Sequence, residues 1–185
     1  TVKTIPDRME PASHVAFTSL LGYDPKQYAT GPGPLGAANL EVKLEENEVA
    51  FRMNFVTESD GILADSKGGR IATREAKALV NFLNKKLAND FVRFFPGDSY
   101  GHIAVIKDAR GFKALSAECP EPDSFVGKPI EDHLPQGPGE DLIRKLIFDS
   151  RLLLKDHEIN QVRIDLAENP ANMIWLWGQG PMPRP

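Results

Sequence analysis

The sequence has a single cysteine, Cys119, among 185 residues, so no disulfide can close within the chain and a reducing, cytoplasmic setting is expected. Histidine is scarce too: positions 14, 102, 133 and 157 form no close pair of the kind found in helical zinc sites, and a self-contained zinc centre is not expected. No apolar run approaches the roughly 20 residues needed to cross a bilayer, and the N-terminus lacks the apolar stretch of a signal peptide. Basic residues do not dominate. With 22 Lys and Arg against 26 Asp and Glu, the net charge of −4 and the lack of like-charge runs argue against nucleic acid or a membrane surface as partner. Neither a Walker phosphate loop nor a dinucleotide fingerprint occurs, and there is no internal repeat or low-complexity segment.

Glycine and proline, 15 of each, punctuate the chain, and proline-free blocks at 35–95 and 139–169 mark where regular elements can run. At 50–56 apolar Phe51, Met53 and Phe55 alternate with Arg52 and Asn54, which predicts a strand whose polar face meets solvent. A turn at Ser59-Asp60-Gly61, a short strand at 62–65 and a tight turn at Lys67-Gly68-Gly69-Arg70 follow. Thr73 is placed to cap a helix reaching about Asn89, with Ala76, Leu79, Val80, Leu83 and Leu87 on one face. Strands are expected at 91–95 and 102–107. After Gly139, apolar Leu142, Ile143, Leu146, Ile147, Leu153 and Leu154 predict an amphipathic helix of about four turns. Alternation of Val162, Ile164 and Leu166 reads as extended chain, and 173–177 as a last strand before Gly178-Gln179-Gly180. Near the start, 13–21 predicts a short helix ended by Gly22 and Pro25, and the glycines and prolines of 30–36 suggest a hinge. The fold class expected is α/β of an α+β-like kind, a mixed β-sheet with helices packed on it.

Four features carry chemistry. Ser13, at the start of a predicted helix, reads either as an ordinary N-cap or as a nucleophile beside an anion held by free N–H groups. The Lys67-Gly68-Gly69-Arg70 turn reads as a solvated connection or as a grip for phosphate or carboxylate. Arg52 and Asn54 share one strand face, as solvent-facing residues or as ligand contacts. His102 fits a structural role better than a functional one.

Met9-Glu10-Pro11-Ala12-Ser13-His14-Val15-Ala16 and Leu20-Leu21-Gly22-Tyr23-Asp24-Pro25 together resemble the archaeal-type cofactor-independent phosphoglycerate mutases of the alkaline phosphatase superfamily. The resemblance continues in order through 49–55, Gly69-Arg70-Ile71, Gly127-Lys128-Pro129-Ile130 and Asn172-Met173-Ile174-Trp175-Leu176-Trp177-Gly178-Gln179-Gly180. It implies an enzyme of glycolysis and gluconeogenesis that interconverts 2-phosphoglycerate and 3-phosphoglycerate through a phosphoserine. Ser13 would be nucleophile and metal ligand, and two divalent ions, Mn2+ or Mg2+, would sit in a phosphatase-like domain. Arg52, Lys67, Arg70 and His102 would hold phosphate and carboxylate, and Asn54 would orient a glycerate hydroxyl. The organisation implied is a nucleophile segment at 1–30, an inserted substrate-binding domain at 31–178 and a return connection at 179–185. The remaining metal ligands would then lie outside this chain, making it a piece inactive alone whose partner is the absent metal domain, an expectation strengthened by Thr1 in place of methionine. Trp175 and Trp177 are expected to pack on that domain. The sequence departs from the family pattern at His14, at Gly101 and in Cys119-Pro120-Glu121-Pro122-Asp123, which leaves two alternatives: a non-catalytic binding domain, or an enzyme acting on another small phosphoester.

Overall fold

Alternation along Glu48–Ser59 builds a strand of 12 residues, β1, from which the rest of the fold is organised. The computed structural model describes residues 31–108 and 117–181. The expected helix at 13–21, with Ser13, lies outside the described residues. β1 pairs through 48–54 with β4 (Gly101–Lys107), through 49–56 with β5 (Met173–Pro181), and through 57–59 with β2 (Ile62–Asp65). β3 (Val92–Phe95) adds to the free side of β4. Among the described residues every pairing is antiparallel, where the sequence suggested a mixed sheet, because the strands joined through helices, β1 with β3 and β4 with β5, run parallel but each pair is separated by a strand of opposite direction.

Helices lie on both faces. On one, Phe51, Met53 and Phe55 meet α2 (Thr73–Leu87) through Leu79, Val80 and Leu83, and α3 (Glu140–Leu154) through Ile143 and Ile147. Ser150 of α3 secures the contact with β5, its Oγ accepting from the N–H of Ile174 at 3.0 Å. On the other face, Ala50, Ile103 and Val105 are covered by Ala37 of α1 (Pro32–Asn39). The face of Arg52 and Asn54 is therefore not the solvent face the alternation suggested.

Several elements differ from the expectations. The expected hinge at 30–36 is the start of α1: Pro32 fills a first-turn position where no N–H is needed, and Gly33 sits so close to β1 that a Cβ there would fall 2.2 Å from the Ala50 carbonyl. Thr73 does not cap α2, which starts after Ala72 without a side-chain cap. Its Oγ1 instead accepts from the Ser99 N–H at 3.0 Å. Val162 and Ile164 lie in a helix, α4 (Glu158–Asp165), which His157 caps at its start and Leu166 follows at its end. Period-two apolarity misled there because those residues are exposed, while the buried positions of α4 are the polar Asn160 and Arg163. β5 runs through the expected boundary at 178, pairing Gly180 with Ala50 and Pro181 with Val49. Trp175, expected on an outer face, is 0% exposed in the core against Phe125, its Nε1 donating to the Pro120 carbonyl at 2.8 Å.

Candidate functional site

Arg52 occupies the middle of β1, between Ile103 of β4 and Trp177 of β5. Its guanidinium lies between Gly36 of α1 and Gly101 of β4. A Cβ at Gly101 would stand 2.7 Å from Nη2, and one at Gly36 would stand 3.2 Å from Nη1, so the absence of two side chains makes the slot. The cation opens on a cleft of about 270 Å3 lined also by Asn39, Asp98 and Tyr100. Among the described residues no carboxylate pairs with it and no acceptor takes its protons. Burial pulls its pKa below the ordinary arginine value, with Tyr100 opposing. A half-buried cation in that condition favours an incoming anion, because a charge-assisted bond would replace lost hydration.

Lys67 reaches the same region from the turn after β2. Its Nζ stands 5.9 Å from the centroid of the Tyr100 ring, a cation–π approach that leaves its protons free for a ligand. The two glycines do form a tight turn, with Gly69 at φ 64° and Arg70 at φ 50°. The backbone anion grip considered above is already filled by the chain itself. Asp65 accepts from the Lys67 N–H at 2.8 Å and from the Gly69 N–H at 2.9 Å. Any external anion must therefore be held by the side chains of Lys67 and Arg70, and Arg70 is exposed. Ser99 ties the loop that carries Tyr100 to the chain just after the turn, donating its N–H to Thr73 Oγ1 and its hydroxyl to the Ile71 carbonyl at 2.8 Å.

Asn54 and His102 are placed differently from what the resemblance implied. Asn54 is 5% exposed, and both ends of its amide are used: Trp177 Nε1 donates to Oδ1 at 3.1 Å, and Nδ2 donates to the Ser66 carbonyl at 3.2 Å. It joins β5 to the residue before Lys67, with each end of the amide engaged inside the fold. His102 is 0% exposed. Its Nδ1 accepts from the Gly97 N–H at 2.9 Å, so the ring proton sits on Nε2, which has no partner among the described residues. The ring meets Phe55 edge-on at 4.9 Å, and burial holds the pKa down to about 4. His102 is thus a neutral core residue that shapes the 97–101 loop rather than a cation facing the cleft. The structure brings Arg52 and Lys67 together around Tyr100, sets Arg70 on the same turn, and withdraws Asn54 and His102 into support.

Sequence reasoning missed Tyr100 and Asp65. An aromatic between Gly97 and Gly101 in a polar loop, and an aspartate two residues before the glycine turn, are the signals that identify them. A larger cleft of about 370 Å3, lined by Glu118, Cys119, Asp132, His133 and Gln136, is a weaker candidate. It lacks a lysine or arginine, His133 stacks flat on Phe125, and burial pushes the Cys119 thiol up to about 12, far from a thiolate.

The divalent ions implied by the resemblance have no fitting ligand set here: among the described residues no group of three or more His, Cys, Asp and Glu is arranged to hold a metal.

Comparison with known proteins agrees with the resemblance. Residues 1–160 match the family model described as 2,3-bisphosphoglycerate-independent phosphoglycerate mutase. Curated relatives of that name include one from Methanothrix thermoacetophila, 44% identical over 98% of this chain, and one from Methanosarcina barkeri, 43% identical over 98%. This chain covers 44% and 45% of those two proteins, so it spans under half the length of the relatives it matches. A solved cofactor-independent phosphoglycerate mutase from Thermoplasma acidophilum shares the fold at a TM-score of 0.70 and 24% identity, over 95% of this chain and 48% of that one. The chain belongs to the 2,3-bisphosphoglycerate-independent phosphoglycerate mutase family.

Proposed function

We propose that this chain supplies the substrate-binding domain of a mutase that interconverts 2-phosphoglycerate and 3-phosphoglycerate in the cytoplasm, with residues 31–178 as its body. The observation that carries the binding role is the half-buried Arg52 guanidinium, without an acceptor among the described residues, next to Lys67 at Tyr100. Phosphoglycerate presents a phosphate and a carboxylate a few bonds apart. Arg52 offers a planar fork suited to either group, while Lys67 and Arg70 add positive charge at the adjoining turn. The two transfers run through Ser13, which takes the phosphoryl group and returns it to the other hydroxyl, so both hydroxyls need never be in line at once. Family membership supports Ser13 in that role. The Mn2+ or Mg2+ pair and the phosphatase-like domain that would hold it complete this reading.

The test is made in the full-length protein. Ser13→Ala is expected to abolish interconversion while leaving substrate binding intact. Arg52→Ala is expected to raise KM some tens of times, the size of a lost charge-assisted pair, without unfolding the protein. Unchanged turnover in Ser13→Ala would reject the phosphoserine route, and an unchanged KM in Arg52→Ala would reject the cleft as substrate site.

A further inference from the structure

Arg163 lies on α4, 94 residues beyond Gly69, and is 5% exposed. A buried guanidinium costs several kcal/mol in lost hydration unless its protons are taken up, and here each edge is used. Nη1 meets Glu75 at 3.1 Å and Glu168 at 3.2 Å, which offsets the charge. Nε donates to the Asn169 carbonyl and Nη2 to the Gly69 carbonyl, both at 3.1 Å. Asn169 in turn donates its amide to Asp65 Oδ2 at 3.3 Å, and that oxygen accepts from the Gly69 N–H. Arg163, Asn169, Asp65 and Gly69 therefore form a closed ring of hydrogen bonds around the glycine turn.

We infer that Arg163 is a positioning residue that fixes the Lys67-Gly68-Gly69-Arg70 turn, and so the aim of Lys67 and Arg70, from a helix far away in the sequence. The inference rests on the substrate-binding reading of that turn. The turn needs such a hold: Gly69 and Arg70 both adopt positive φ, and Asp65 alone secures only N–H groups. Arg163 secures the carbonyl side. Its planar fork serves three directions at once, which a lysine ammonium cannot reproduce. Glycine is also required at 69, because a Cβ would fall 2.4 Å from the Asn169 carbonyl oxygen and 2.7 Å from Nη2.

The experiment compares Arg163→Lys with Val92→Ala, a core truncation on β3 remote from the turn, in the 185-residue chain. Arg163→Lys is expected to speed hydrogen exchange at the Gly69 amide at least tenfold and to weaken binding of 3-phosphoglycerate at least fivefold. Val92→Ala, although less stable, is expected to change neither by more than twofold. Should Arg163→Lys not fold, the double variant Glu75→Gln with Glu168→Gln removes the two negative charges that offset the guanidinium, and about a threefold rise in exchange at Gly69 is expected. Equal behaviour of the Arg163 and Val92 variants overturns the inference, as does a chain that does not bind 3-phosphoglycerate. Lys67→Ala separates the two readings. Lost affinity there with none lost in Arg163→Lys removes only the positioning role, whereas unchanged affinity in Lys67→Ala removes the turn from the substrate site and this inference with it.

Discussion

His102 stays neutral because its ring is sealed between Gly97 and Phe55, and that choice has a pH signature. In the unfolded chain the imidazole takes a proton near 6.5, whereas in the fold it resists until about 4. The folded pKa is the lower one, so its stabilising share is complete above 6.5 and is lost as pH falls toward 4. The span corresponds to about 3 kcal/mol at most. Urea denaturation at pH steps between 7 and 4.5 is expected to show this decline, and His102→Asn, which keeps an acceptor for Gly97, is expected to flatten it. An equal slope in both proteins would place the acid sensitivity elsewhere. The sequence showed His102 beside Tyr100 and Gly101 and favoured a structural role, but it did not show that the Gly97 N–H would fix the tautomer. Arg52 and Asn54 were visible as neighbours on a strand. Which of them keeps a free polar end depended on Trp177 and Ser66, residues far away in sequence, and so was not legible.

Among the elements, α1 is the one on which the cleft depends most. It covers Ala50 and Ile103, and its Gly36 forms one wall of the Arg52 slot. Backbone contact at Gly33 sets the distance between α1 and β1, since a Cβ would meet the Ala50 carbonyl at 2.2 Å, an atom that cannot rotate away. Gly33→Ala is therefore expected to lift α1, destabilise the fold by about 1–3 kcal/mol, and weaken anion binding at Arg52 even though residue 33 does not line the cleft. Denaturant midpoints and phosphate titrations of the variant check both effects; a lost midpoint with intact binding would show that α1 does not shape the slot. This helix was read as a hinge because three glycines and two prolines at 31–36 outweigh helix propensity locally, and only tertiary packing favours glycine there. In contrast α2 and α3 were legible, because their buried faces follow helical spacing: Ala76, Leu79, Val80 and Leu83 in one, Ile143, Leu146, Ile147 and Leu154 in the other. α4 reverses that logic by burying Asn160 and Arg163 and exposing Val162 and Ile164, so periodicity pointed the wrong way.

At the scale of the whole molecule, binding and turnover are expected to separate. Among the described residues Arg52 lines a cleft beside Tyr100, Lys67 approaches that ring and Arg70 is exposed on the same turn as Lys67, yet no metal ligands are arranged together and the buried His102 is neutral. The curated relatives carry more than half of their length outside the part this chain matches. In the proposed reaction Ser13 is one member of a constellation, and a nucleophile without the groups that activate it retains little of the rate, because such groups act as a unit. The 185-residue chain is thus expected to bind 3-phosphoglycerate and leave it unchanged, with or without added Mn2+. Phosphorus NMR reads both halves of this prediction in one sample: the phosphate resonance should shift or broaden on binding, and no 2-phosphoglycerate signal should grow over hours. Growth of that signal above a protein-free control would mean that the matched half suffices for catalysis. In that case the activating groups would have to be sought within this chain, beginning with the acidic and hydroxyl side chains that line the Arg52 cleft, Asp98 and Tyr100.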